Sequence, residues 1–211
     1  MKKIIIINCG GNVLSLVRAI NLYGYDPIIT NNINEIRDSS HIFLPGVGAF
    51  KNAMKKLEKA NLINFLREID YKKKNLMGIC LGMQILLSEG HEEGNCEGLN
   101  LIKGKVIKID PSNLINNIHK IPNIGWHQLK YNSYSEKNTI IDQEKTKKEC
   151  YFIHSYYAEL KNNHECISYI EYGSLKIPAV IKKDKIYGCQ FHPEKSRRDG
   201  LTLIENFLKL D

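Results

Sequence analysis

Apolar residues in this chain are arranged in two ways, and each arrangement predicts a different kind of element. Residues 3–8, with four consecutive isoleucines from Ile4 to Ile7, form an unbroken run of the kind expected for a parallel strand covered on both faces. Asp26 to Thr30 reads as a second strand and His41-Ile42-Phe43-Leu44 as a third. A further run, Leu76-Met77, stops at Gly78, and apolar character returns at Ile85-Leu86-Leu87 beyond Gly82, which predicts a strand, a tight turn and a helix. Helices are expected over about residues 13–23, closed by Gly24, and over 49–59 and 61–70, with Asn61 as the cap of the last. The second half alternates instead. Leu101 to Ile109 has the period of a half-exposed antiparallel strand. Tyr151 to Tyr157 is aromatic-rich and strand-like, and Ile167 to Tyr172 and Ala179 to Ile181 continue the sheet. Asp184-Lys185 reads as a hairpin turn leading into Ile186 to Phe191, and a helix over about 199–208 closes the chain.

Strands separated by helices define an α/β protein, expected as a single three-layer domain over residues 1–211 around a mostly parallel sheet. Composition supports an ordinary globular chain, 43% hydrophobic and 25% charged. No apolar run reaches the eighteen or so residues of a membrane span, and the short N-terminal run reads as a strand and not as a signal peptide. The six cysteines, at 9, 80, 96, 150, 166 and 189, contain no Cys-x-x-Cys pair. Neither a zinc site nor a disulfide framework is predicted, and a reducing cytoplasm fits best. The net charge of +7 comes from scattered lysines with small clusters at Lys72-Lys73-Lys74 and Lys145 to Lys148. Without interleaved aromatics or a nucleic-acid motif, this reads as solvated surface, with docking of an acidic partner as the alternative. Gly10-Gly11 follows the first strand but does not complete a dinucleotide-binding fingerprint.

The chemistry concentrates in two places. In Gly78-Ile79-Cys80-Leu81-Gly82, glycines two residues either side of a cysteine form a nucleophile elbow with sulfur in place of oxygen. Both glycines are needed because the turn is strained and neighbouring backbone passes close. The N–H groups at the start of the following helix favour a thiolate and, Leu81's in particular, can hold an oxyanion. In Phe191-His192-Pro193-Glu194, the proline biases His192 towards an extended backbone, so His192 and Glu194 leave the chain on one side. A carboxylate that orients an imidazole completes a Cys80–His192–Glu194 triad. His154 is a weaker base candidate, since no carboxylate lies two residues away. Cys189, next to the base, is read as a core residue.

The elbow, the upstream Pro45-Gly46-Val47-Gly48 and the Phe191-His192-Pro193-Glu194-Lys195-Ser196 segment together resemble the class I, or triad, glutamine amidotransferases, whose fold is flavodoxin-like. Met83 and Val47 make the chain most similar to the glutaminase subunits of imidazole glycerol phosphate synthases. The resemblance runs from residue 3 to about residue 208. It implies a glutaminase that uses Cys80, His192 and Glu194, with backbone N–H groups of Val47 and Leu81 as oxyanion donors. It also places Gly46, Gly48, Gln84, Glu92, Ser155 and Tyr156 around L-glutamine, with no cofactor and no metal. Ammonia would pass to a (β/α)8-barrel cyclase subunit in a cytoplasmic heterodimer for histidine biosynthesis, met through Asn12, Arg18, Trp126 and Lys195, with Ser196 as a further docking candidate. The chain departs from the family at Asn8-Cys9 and in Pro122-Asn123-Ile124-Gly125-Trp126-His127, where the family has Pro-His-x-Gly-Trp-Asn. These departures leave open a paralogue that supplies ammonia to a sugar-modifying synthetase. More remote alternatives are a cysteine hydrolase acting without a partner and a non-catalytic binding subunit.

Overall fold

The computed structural model describes residues 2–11, 13–115, 118–132, 140–141 and 148–211. Asn12 and most of the Lys145 to Lys148 cluster fall outside the described residues. Strand β1 (Ile4–Ile6) leads through α1 (Leu14–Asn21) to β2 (Ile28–Ile29), and α2 (Ile33–Arg37) leads to β3 (His41–Gly46). Helices α3 (Phe50–Lys59) and α4 (Leu62–Glu68) precede β4 (Asn75–Cys80), which runs directly into the four-residue α5 (Leu81–Gln84). Short strands β5 (Glu89–Gly90) and β6 (Cys96–Glu97) are followed by β7 (Gly104–Lys108), β8 (Asn123–Gln128) and β9 (Lys130–Tyr131). The remaining strands are β10 (Glu149–His154), β11 (Tyr156–Leu160), β12 (Cys166–Tyr172), β13 (Leu175–Lys183) and β14 (Ile186–Cys189), and α6 (Arg197–Lys209) ends the fold.

The main sheet has the order β2-β1-β3-β4-β14-β13-β12-β9. Its first five strands are parallel, and β13, β12 and β9 extend it antiparallel. Alternating residues of the unbroken runs divide between two cores, which is why those runs carry no polar position. Ile4, Ile6, Phe43, Met77 and Ile79 face α1 and α6, whereas Ile5, Ile7, Ile42, Leu44 and Leu76 face α2, α3 and α4. Helix, sheet and helix form the three expected layers. A mixed sheet of order β11-β7-β5-β6 lies beside them, and β8 pairs with β10 as a separate two-stranded ribbon. No helix among the described residues is long and apolar enough to cross a membrane.

Three local expectations need correction. Asn61 stands at the start of α4 with φ 55°, and its side chain makes no capping hydrogen bond. The second strand is only Ile28–Ile29, both residues exposed at the sheet edge. The helix after the elbow ends at Gln84, and Leu86 and Leu87 close tight turns onto the carbonyls of Met83 and Gln84. So short a helix adds little macrodipole at Cys80 beyond its first N–H groups.

Phe207 of α6 is fully buried and meets His41, Phe43 and Tyr187 edge-on at ring separations of 5.2, 5.0 and 5.9 Å. Truncating it removes the main bolt between α6 and the sheet. Phe207→Ala should lower the unfolding free energy by about 3–5 kcal/mol in urea denaturation, and a loss below about 1 kcal/mol would contradict this packing.

Candidate active site

Cys80 ends β4 at φ 54° and ψ −111°, a backbone conformation that L residues rarely hold without surrounding constraint. The constraint is visible at the flanking glycines. A Cβ on Gly82 would lie 1.6 Å from the Leu44 carbonyl oxygen, and one on Gly78 would lie 2.6 Å from that of Gly82. Cys80 is buried, yet its sulfur lines a cleft of about 400 Å³ together with Val47, Gly48, Leu81, Gln84, Glu92, His154, Ser155, Tyr156 and His192. The Ile153 carbonyl and the Gln190 side-chain amide each approach the sulfur to 3.9 Å.

His192 follows β14, the neighbour of β4 in the sheet. Its Nδ1 lies 2.8 Å from Glu194 Oε1, and both side chains are about nine-tenths buried. Burial alone would lower the pKa of this imidazole. Hydrogen bonds to Cys80 and to Glu194 outweigh burial and push it up to about 10. The protonated ring therefore sits between two acceptors, the Cys80 sulfur and the Glu194 carboxylate, the arrangement of a proton acceptor for the cysteine with its orienting group. His154 differs. Its two nitrogens are taken by the Tyr156 carbonyl and the Asn123 amide, each at 3.0 Å, and burial pushes its pKa down to about 4. The structure thus brings His192, and not His154, into a proton-transfer arrangement with Cys80. Cys189 is fully buried, its pKa raised by burial, as a core residue would be.

The residues predicted to surround the substrate do line the cleft, apart from Gly46, and several also hold it together. Gly46 pairs with Cys80 across β3 and β4, and Gly48 needs its glycine for a φ of +97°. Gln84 is buried, and its Nε2 donates to the Tyr156 carbonyl at 2.9 Å and to Gln190 Oε1 at 3.1 Å. Glu92 Oε2 accepts the first backbone N–H of α3, from Phe50, at 2.7 Å. Its carboxylate supplies the cap that Ala49 cannot, and so anchors the end of the Gly46-Val47-Gly48 loop. Ser155 and Tyr156 form the opposite wall. Gln190 and the Glu92–Phe50 bond escaped the sequence reading, since neither their distance in sequence nor any motif announces them.

Of the predicted docking residues, Arg18, Trp126 and Lys195 are all exposed. Arg197 lies over the Trp126 ring at 4.6 Å. Ser196 is a correction: it is fully buried, donates to the His192 carbonyl at 2.7 Å and accepts from the Tyr151 N–H at 2.9 Å. It fixes the His192 segment to β10 and presents nothing to a partner. Among the described residues, no group of three or more His, Cys, Asp or Glu side chains could hold a metal.

A mostly parallel sheet carrying a cysteine elbow, with His and Glu from the turn after the adjoining strand, defines a class that sequence comparison also recovers. The family model for class I glutamine amidotransferases matches residues 5–210, and the chain belongs to that family. Its curated relatives are more particular. It is 40% identical over 210 residues, 99% of each chain, to "Imidazole glycerol phosphate synthase subunit HisH" of Lactococcus lactis. It is 39% identical over 202 residues, 95% of this chain and 96% of the other, to subunit HisH 1 of Campylobacter jejuni. Among solved structures it resembles a glutamine amidotransferase, with a TM-score of 0.73 and 15% identity over 98% of this chain and 97% of the other. A chain of PurLQS from Thermotoga maritima superimposes with a TM-score of 0.70 at 16% identity, covering 99% of this chain and 98% of the other. At such identities these two show the shared fold.

The raised pKa of His192 has a definite sign. Its protonated ring stabilises the folded state fully below pH 6.5, and that contribution is lost as pH rises towards about 10. In NMR the His192 ring should titrate well above 6.5, and Glu194→Gln should lower the midpoint. The stability difference between the two proteins should then shrink from pH 6.5 towards pH 10. An unchanged midpoint would contradict the role of Glu194.

Proposed function

We propose that this chain is the glutaminase subunit of an imidazole glycerol phosphate synthase. It hydrolyses L-glutamine to glutamate and ammonia and passes the ammonia to a cyclase subunit in histidine biosynthesis. The observation that carries the chemistry is Cys80, strained at the elbow and sharing one cleft with a His192 that Glu194 holds at 2.8 Å. The pathway rests on relatives at 38–40% identity over nearly the full length of both chains.

In this reading Cys80 gives its proton to His192, and the thiolate attacks the side-chain amide carbon of glutamine. The carbonyl oxygen becomes an oxyanion, held by the backbone N–H groups of Leu81 and Val47, each donor worth ~3–4 kcal/mol. His192 returns the proton to the nitrogen as the C–N bond breaks, so ammonia leaves and a γ-glutamyl thioester remains on Cys80. Water then enters, His192 takes its proton, and collapse of the second tetrahedral adduct releases glutamate and restores the thiol. Glu194 keeps Nδ1 protonated throughout, leaving Nε2 for the reacting atoms. Ser155 and Tyr156 hold the α-amino and carboxylate end of the substrate, and Glu92 both receives the amino group and anchors the loop.

Free ammonia near neutral pH is mostly ammonium, which is no nucleophile, so direct delivery to a partner follows from the chemistry. We assign that partner a (β/α)8 barrel seated over Trp126, Arg18 and Lys195. Supporting this position, Val47, Ile124, Trp126 and Ile153 expose 39–57% of their surface beside the cleft mouth. A single-domain subunit in a reducing cytoplasm accords with six cysteines that are all free thiols.

Glutamate release should be weak for the chain alone. It should rise at least about tenfold when the cyclase of the same organism is added together with that enzyme's ribonucleotide substrate. Cys80→Ala should abolish it, by at least about 10⁴-fold. Turnover surviving in Cys80→Ala would overturn the mechanism, and no stimulation by the cyclase would overturn the pathway.

A further inference from the structure

Residues along the β8–β10 ribbon alternate between two faces. The register pairs Asn123 with His154, Gly125 with Phe152 and His127 with Cys150, all on the inner face. Ile124, Trp126, Tyr151 and Ile153 occupy the outer face. Three hydrogen bonds run along the inner face: His127 Nε2 to Asn123 Oδ1 at 2.7 Å, Asn123 Nδ2 to His154 Nε2 at 3.0 Å, and His154 Nδ1 to the Tyr156 carbonyl at 3.0 Å. Asn123 and His154 are buried and His127 is half-buried.

The terminal carbonyl fixes the direction of the whole chain. A carbonyl only accepts, so His154 Nδ1 carries the proton. Burial holds this ring neutral, so Nε2 is an acceptor and the Asn123 amino group must donate to it. That turns the Asn123 oxygen towards His127, whose Nε2 must in turn carry a proton. Burial, followed by the neighbouring His119, lowers the pKa of the His127 ring and so favours its neutral form as well. One backbone oxygen thereby determines two tautomers and one amide orientation.

The chain ends on the wall of the cleft. Tyr156's carbonyl also receives Gln84 Nε2, and Ile153's carbonyl faces the Cys80 sulfur. We propose that Asn123 and His127 are positioning residues of the glutamine site: together they lock His154 as its Nδ1–H tautomer and so hold the Ile153-to-Tyr156 wall in the shape that receives the substrate. Neither residue lines the cleft itself. Without His127, the Asn123 oxygen is left buried and unpaired, and the amide is free to turn over. The turned amide presents oxygen to the His154 Nε2 lone pair, and His154 must move its proton to Nε2 and release Tyr156 to relieve the repulsion. The Ile153–Tyr156 wall is then no longer fixed from behind.

Two readouts on the full chain test this: ¹⁵N NMR of the His154 ring, and saturation of Cys80 labelling by a diazoketone analogue of glutamine. The unmodified protein should carry the His154 proton on Nδ1. His127→Leu should mix the two tautomers and raise the half-saturating analogue concentration by about tenfold, while Cys80 remains open to iodoacetamide. His127→Gln, which can still donate an N–H to Asn123, should restore both readouts. Protonation of His154 at Nε2 in the unmodified protein, read without any variant, would overturn the assignment. An unchanged half-saturation in a folded His127→Leu, or failure of His127→Gln to rescue, would do the same. Because the assignment rests on the glutaminase reading, absence of saturable labelling in the unmodified chain, with iodoacetamide still reacting, would instead sink that reading and this one with it.

Discussion

The contact that the rest of the site depends on is steric: the elbow after β4 runs so close to β3 that nothing larger than hydrogen fits between them. Gly82 lies against the Leu44 carbonyl, Gly78 against the elbow's own Gly82 carbonyl, and Gly46 against the Gly82 nitrogen. These three glycines let two strand ends merge into one surface. On that surface Cys80 sits beside the loop that carries Val47, with its φ held positive by the packing around it. The parallel order of β3, β4 and β14 then brings His192 to the same carboxyl edge, where sites of open α/β sheets form. Because the strand neighbours are fixed by buried apolar runs, the triad inherits its precision from the core.

Around that junction polar groups have scaffold roles as well as chemical ones. Ser196 ties the His192 turn to β10, Gln84 ties the elbow helix to Tyr156, and Glu92 caps α3 at the end of the Gly46-Val47-Gly48 loop. The Asn123–His127–His154 chain does the same for the outer wall, with the ribbon's other face left apolar and exposed. One ribbon thus joins the surface suited to a partner to the surface suited to glutamine.

How much of this was legible in the sequence follows from how local each feature is. The strands β1, β3, β4 and β14 were readable because burial on both faces leaves no polar interruption. The elbow and the His192–Glu194 pair were readable because their geometry is set within a few residues. Strand β10 was readable within the aromatic Tyr151 to Tyr157 run, but its partner β8 was not, since Asn123 and His127 point inward while Ile124 and Trp126 point out, the reverse of an ordinary half-buried strand. Helix α2 is too short to show a period, and the Ile85-Leu86-Leu87 run belongs to tight turns where a helix was expected. Gln84 and Glu92 bond partners 72 and 42 residues away, a separation no spacing rule spans. The family resemblance placed them near substrate but could not show that they brace the cleft. The departures at Asn123 and His127 looked independent along the chain. In the fold they touch each other at 2.7 Å and act as one change.

The proposed chemistry turns on a covalent bond between Cys80 and the glutamyl group. The most direct measurement is acid quenching of the chain, bound to its cyclase partner, during steady turnover of isotopically labelled glutamine, followed by peptide mass spectrometry. A labelled γ-glutamyl thioester should appear on the peptide containing Cys80 and on no peptide bearing another of the six cysteines. Turnover without that adduct, or an adduct on a different cysteine, would contradict it.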